Sequence, residues 1–134
     1  MATKDDIITL PNPGLRAKSR RVGLITPEVL KTIEDMKSAT LDWEASRQHE
    51  VGVALAAIQI NRPQRIVVVR DNFDDKSNRD FTVLINPEVT KLEGDVIEDF
   101  EGCLSVSNIY GKVPRPDKVR IKAMDESGRV YRLR

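Results

Sequence analysis

From Thr26 onward the chain repeats apolar side chains at helical spacing for about five turns, and no second long helical pattern follows. Thr26 can cap, Pro27 suits the first helical position, and Glu28 complements the positive end of the helix dipole. Val29, Ile33, Met36, Thr40 and Trp43 recur at steps of four and three, which puts them on one face. Lys31, Glu34, Asp35, Lys37 and Ser38 fall on the other. The pattern predicts one amphipathic helix ending around Ser46 to His49, with Met36 and Trp43 in the core. One helix of that length needs a sheet to cover.

The strand patterns supply it. Arg65 to Arg70 is a short β-branched run of the kind buried on both faces. A polar turn, Asp71 to Arg79, leads to Phe81-Thr82-Val83-Leu84-Ile85, which Asn86-Pro87 is expected to end. Val89 to Phe100 reads as a weaker, more charged extended stretch interrupted by Gly94. Lys118 to Ala123 alternates as a half-exposed strand does, Asp125 to Gly128 makes a turn, and Arg129 to Arg134 begins a return strand. Before the helix, Leu10 to Leu15 is a turn-rich entry shaped by two prolines and a glycine. The expected architecture is one α+β domain over residues 1–134: a helix, then mainly antiparallel strands. A single helix over several half-apolar strands is a thin core for this length.

Charge narrows the function classes. The 22 basic and 21 acidic residues leave a formal charge of +1, which argues against a nucleic-acid binder driven by an overall basic face. No run approaches the roughly 18 apolar residues of a membrane span. The polar, acidic Met1 to Asp6 does not read as a signal peptide. A cytoplasmic location is expected, and the single cysteine, Cys103, suits a reducing compartment.

Two segments carry possible chemistry. Gly52-Val53-Ala54-Leu55-Ala56-Ala57-Ile58-Gln59 is small and apolar with one carboxamide at its end. Small residues let a substrate backbone approach, and a glutamine amide can donate to a developing oxyanion. A packed strand or helix start with Gln59 at its exposed edge explains the same letters. In Glu101-Gly102-Cys103-Leu104-Ser105 the lone thiol could be a metal ligand, a nucleophile or a small buried hydrophobe. A nucleophilic pair would need His49, the single histidine.

Together the segments resemble the two motifs, GxGLAAxQ and EGCLS, that mark peptide deformylases. The second matches at all five positions, and the first at Gly52, Leu55, Ala56, Ala57 and Gln59, with Ala54 where the family has a second glycine. The resemblance continues in Pro13-Gly14-Leu15-Arg16, Gln64-Arg65-Ile66, Leu84-Ile85-Asn86-Pro87 and Val113 to Val119, in the family's order. It implies metal-dependent removal of the formyl group from the N-terminal methionine of new polypeptides. Cys103 would be a thiolate ligand held by a turn that Gly102 permits. Gln59 and the Leu104 backbone N–H would be the catalytic donors to the formyl oxygen. Gly52, Val53, Ala54, Glu101 and Gly102 would lie along the peptide, with Glu101 beside the pocket. The implied metal is Fe2+, and the same donors suit Zn2+ or Ni2+. The implied partners are N-formyl-methionyl peptides and the ribosome near the nascent-chain exit, with no nucleic acid bound directly for function and no membrane.

The family's third motif, HExxH on a helix, supplies two histidine ligands and a glutamate base. No such motif surrounds His49 or stands elsewhere in these residues. The expected reading is therefore a deformylase fragment, lacking its C-terminal HExxH helix and inactive as it stands. A non-catalytic relative that binds nascent peptide N-termini is the competing one.

Overall fold

In the computed structural model, which describes residues 2–47 and 50–134, helix α1 spans Pro27–Ala45. The Thr26 hydroxyl accepts from the Val29 N–H at 3.2 Å, and Pro27 fills the first turn as expected. Val29, Ile33, Met36, Thr40 and Trp43 are all buried. Asp35 departs from the expected polar face. It is buried because Arg62 reaches over from the next layer and bonds its carboxylate at 2.7 Å, while Lys31 bonds it at 2.8 Å from the solvent side. His49 lies outside the described residues.

Five strands follow in chain order as an antiparallel meander: β1 Ala54–Ala56, β2 Ile66–Arg70, β3 Phe81–Cys103, β4 Val106–Met124 and β5 Val130–Leu133. Helix α1 covers the β1–β2 end. There Ile33, Met36 and Ala39 join Leu55, Ile66, Val68, Val83 and Ile85 in one apolar cluster. β2 alternates rather than being buried on both faces: Ile66, Val68 and Arg70 are buried, whereas Val67 and Val69 are only half-buried. The helix covers one face of the sheet, and β-branching along the whole run concealed that asymmetry.

The larger correction is that β3 does not end at Asn86-Pro87. The register steps from Ile85↔Met124 to Glu88↔Lys122, so β3 carries one extra residue there. Asn86 absorbs it with φ 52°, a left-handed value that asparagine tolerates. Its amide also clamps the entry segment, accepting from the Val22 N–H and donating to the Val22 carbonyl, each at 2.8 Å. A further register shift falls between Val89↔Ile121 and Lys91↔Arg120, and Gly94, with φ 80°, marks a third bulge rather than a break, between Glu93↔Lys118 and Val96↔Pro116. A side chain at 94 would collide with the Asp117 carboxylate as well as strain the backbone.

β4 starts well before the expected Lys118. Pro114 and Pro116 hide it in the sequence, because proline removes a ladder donor. Being two residues apart, both point their nitrogens to the same edge. β5 pairs only with Ile121 to Met124, so that outer edge of β4 needs no N–H at 114 or 116. The result is a long β3–β4 hairpin reaching beyond the helix-covered core, with the Cys103-Leu104-Ser105-Val106 turn at its return.

Candidate active site

Residues 52–59 build one wall of a cleft and residues 102–106 the other. After β1, Ala57–Ile60 forms a single 3-10 turn that swings Gln59 back toward the sheet. The Gln59 Oε1 accepts the Ala56 N–H at 2.9 Å, which fixes the orientation of the amide. Its Nε2 therefore faces outward, donating to the Cys103 Sγ at 3.4 Å and to the Ser105 Oγ at 3.1 Å. Cys103 is exposed. Leu104, next to it, buries its side chain in the core cluster and anchors the turn.

The entry segment staples the walls together. The Ile8 N–H donates to the Gln59 carbonyl at 2.7 Å, and the Leu10 N–H donates to the Ser105 carbonyl at 3.1 Å. Between the walls lies a cleft of about 470 Å³, lined by Val53, Ala54, Gln59, Gly102, Cys103 and Leu104 together with Trp43, Glu50, Val51, Val106 and Tyr110. The two sequence segments thus meet in one place. Ala54 needs no left-handed backbone, since among the described non-glycine residues only Asn61 and Asn86 have positive φ, and it pairs regularly with Val69.

Gly52 and Glu101 sit apart from the thiol and carboxamide. Gly52 is buried against α1, where a Cβ would stand 2.6 Å from the Thr40 Cγ2 and 2.9 Å from its carbonyl oxygen. Glu101 forms a bidentate pair with Arg115, at 2.5 Å and 2.9 Å. The hydrogen bond from the Arg115 guanidinium holds its carboxyl below the usual glutamate range, opposed by partial burial, which makes it a weak proton acceptor near neutrality. Gly102 does not provide a turn conformation. It lies at the end of β3 without positive φ, and the Tyr110 ring rests on it, 2.5 Å from where a Cβ would be. The five-residue step in β4 opposite two residues of β3, from Glu101↔Gly111 to Cys103↔Val106, brings that ring across.

Sequence reasoning missed Ser105, Tyr110 and Glu50. Ser105 was legible as a hydroxyl inside the motif, and it is buried on Gln59. Tyr110 donates its hydroxyl to Glu50 across the cleft mouth, and that bond, with some burial, raises the phenol above its ordinary range. Nothing in the letters links residues 50 and 110, because the link depends on the irregular step in β4.

The exposed Cys103 sulfur could serve a divalent cation as a thiolate ligand. Among the described residues, however, no three His, Cys, Asp or Glu side chains gather to hold one. A catalytic centre needs about three protein ligands and an open position, so the described residues supply part of a donor set and do not fit a complete metal site. What they do supply is a dry anchor (Leu104), an oriented amide donor (Gln59) and an edge strand, β1, beside an open cleft.

The fold places the chain among known hydrolases. It superposes on the crystal structure of a peptide deformylase from Synechococcus elongatus in complex with actinonin with a TM-score of 0.84 at 31% identity, covering 95% of this chain and 65% of that one. A peptide deformylase from Legionella pneumophila gives 0.82 at 32% identity, covering 99% of this chain and 71% of that one. The architecture is the α+β fold of peptide deformylases. Residues 4–134 match the polypeptide deformylase family model, and the chain belongs to that family. It is 40% identical over 126 residues to the peptide deformylase of Pseudomonas aeruginosa, covering 94% of this chain and 69% of that protein. It is 37% identical over 128 residues to peptide deformylase 1 of Pseudomonas syringae pv. tomato, covering 96% and 70%. No helix among the described residues is long and apolar enough to cross a membrane.

Proposed function

We propose that residues 1–134 form one domain that binds the N-terminus of N-formyl-methionyl peptides and orients the formyl group for hydrolytic removal from newly made proteins. One observation carries this reading: the Gln59 amide nitrogen and the Cys103 sulfur are 3.4 Å apart in one open cleft. The Gln59 N–H and the Leu104 backbone N–H are the donors for the formyl oxygen as charge develops on it. Oriented donors of this kind are worth about 3 kcal/mol each in related chemistry. Ala54, on the outer edge of β1, would pair with an extended peptide backbone, beside Val53, whose carbonyl accepts from the Arg70 N–H at 2.7 Å on the sheet side. Gly52 acts indirectly, by letting that edge pack close to α1.

The family reading brings a divalent metal with Cys103 as one ligand, Fe2+ by resemblance, with Zn2+ or Ni2+ suiting the same sulfur and imidazole donors. Bound there, the metal supplies Lewis-acid activation of water. The described residues provide that single ligand, so we propose that the 134-residue chain on its own binds formyl peptide without turning it over. Its setting would be the cytoplasm, near the ribosomal exit where formylated N-termini appear.

Calorimetry with formyl-Met-Ala-Ser and with unformylated Met-Ala-Ser tests the first claim. The formylated peptide should bind several-fold more tightly, and equal affinities would refute the assignment of the cleft. A formate-release assay tests the second. Turnover by the pure chain that a chelator abolishes would show that the metal site is completed by residues other than those assigned here.

A further inference from the structure

The formal charge of +1 conceals an uneven distribution. Residues 16–21 and 61–65 hold six of the 22 basic residues, Arg16, Lys18, Arg20, Arg21, Arg62 and Arg65, and none of the 21 acidic ones. The fold lays the two segments side by side: the Arg20 N–H donates to the Pro63 carbonyl at 2.8 Å, and the Arg65 N–H donates to the Arg20 carbonyl at 2.9 Å. Main-chain bonds therefore set the spacing of the cations and leave the guanidinium groups of Arg20 and Arg21 in solvent. Arg62 is neutralised by Asp35. The other five have no ion-pair partner among the described residues. The surface is concave. A hollow of about 700 Å³ lies between these segments and the first turn of α1, lined by Arg20, Arg21, Lys31, Arg62 and one acid, Glu28. Lys31, like Arg62, is paired with Asp35, which leaves Arg20 and Arg21 as its uncompensated cations among the described residues. It shares no lining residue with the Gln59–Cys103 cleft.

We propose that this face binds the phosphate backbone of double-stranded RNA. Arg20 and Arg21 line the concave surface with no ion-pair partner among the described residues, and Arg16, Lys18 and Arg65 (whose Nε donates to the Ser19 carbonyl at 3.3 Å) stand on the same two segments, so that the face can meet a row of phosphates that takes charge and shape without reading bases. A lipid surface fits less well, because membrane-lying surfaces bury an apolar face and Leu24 is the one large exposed apolar side chain lining the hollow. The inference stands independently of the peptide cleft and does not need hydrolysis.

Anisotropy titration of a fluorescein-labelled 20-base-pair RNA duplex with the full chain tests it. Binding should weaken at least about tenfold between roughly 50 and 200 mM salt, as counterion release requires. The variant R20E/R21E should lose at least about tenfold in affinity at low salt, and so should R16E/K18E. K76E/R79E, on the polar loop before β3, should bind like the parent. The circular dichroism melt of each variant checks that it folds, and two independent reversals guard against one that does not. No binding to the duplex, equal losses in all three variants, or retention by phosphatidylglycerol vesicles and poly-glutamate in place of RNA would each overturn the proposal.

Discussion

The amide nitrogen of Gln59 lies 3.4 Å from the sulfur of Cys103 while the oxygen of the same amide is held by the Ala56 N–H. The carboxamide is thus already turned toward the cleft before any ligand arrives, and little side-chain entropy remains to be lost on binding. Replacing Gln59 by leucine keeps the bulk and removes the donor. We expect Q59L to bind formyl-Met-Ala-Ser about three- to tenfold more weakly, the worth of one net hydrogen bond. The unformylated peptide should be unaffected. A calorimetric titration showing no selective loss for the formylated peptide would remove Gln59 from the site.

Gly102 and the Tyr110 ring form a second dependent pair. A methyl at 102 would sit 2.5 Å from the nearest ring carbon, so either the ring or the strand must shift. Overpacking of this kind costs about 1–3 kcal/mol. In urea melts G102A should be destabilised in the parent, and by much less when Tyr110 is replaced by serine, where the obstacle is gone. Equal costs in the two backgrounds would show that the glycine is needed for another reason.

Beneath the cleft, the fully buried Arg70 side chain bonds Glu44 at 2.7 Å and the Asn78 carbonyl at 2.6 Å, and Glu44 in turn accepts the Gly52 N–H at 3.1 Å. The chain of bonds ties α1, β2 and the approach to β1 together. Arg70→Met leaves the Glu44 charge buried without its cation, which costs about 3–5 kcal/mol. The double variant R70M/E44L, with both charges removed, should recover a large part of that loss. Thermal melts of the three proteins decide it. A double variant no better than R70M alone would show that Arg70 matters through Asn78 and the backbone instead.

Much of this was legible before any coordinates. Helical spacing located α1 and its buried face because one side of an isolated helix must be apolar to pack. The two motif segments were visible because their residue types are unusual together. The hairpin was less legible for a physical reason. Val89 to Val119 has little packed against it, as the exposure of Leu92, Val96 and Phe100 shows, so the alternation that burial imposes is weak there. Bulges at Asn86 and Gly94 then shift what alternation remains. Gly102 looked like a turn residue, and only the β4 irregularity revealed a ring lying on it. The burial of Asp35 depended on Arg62, an arginine 27 residues away, which no helical pattern can show.

That buried carboxylate makes a prediction about acid. Hydrogen bonding from Lys31, together with the bond and charge of Arg62, outweighs burial and lowers the Asp35 pKa below its ordinary 3.8. A group whose folded-state pKa is depressed stabilises the fold where both folded and unfolded forms are ionised. Its contribution is present at neutral pH, begins to fade as pH falls past the ordinary aspartate value, and is lost once pH drops through the lowered folded pKa. Asp35→Asn removes this titration while leaving an amide that can still accept from Arg62. The urea midpoint of the parent should exceed that of D35N at neutral pH, and the gap should narrow steadily as pH falls below the ordinary aspartate value. A gap that stays constant across that range would mean that the charge of Asp35 is not what holds Arg62 and α1 together.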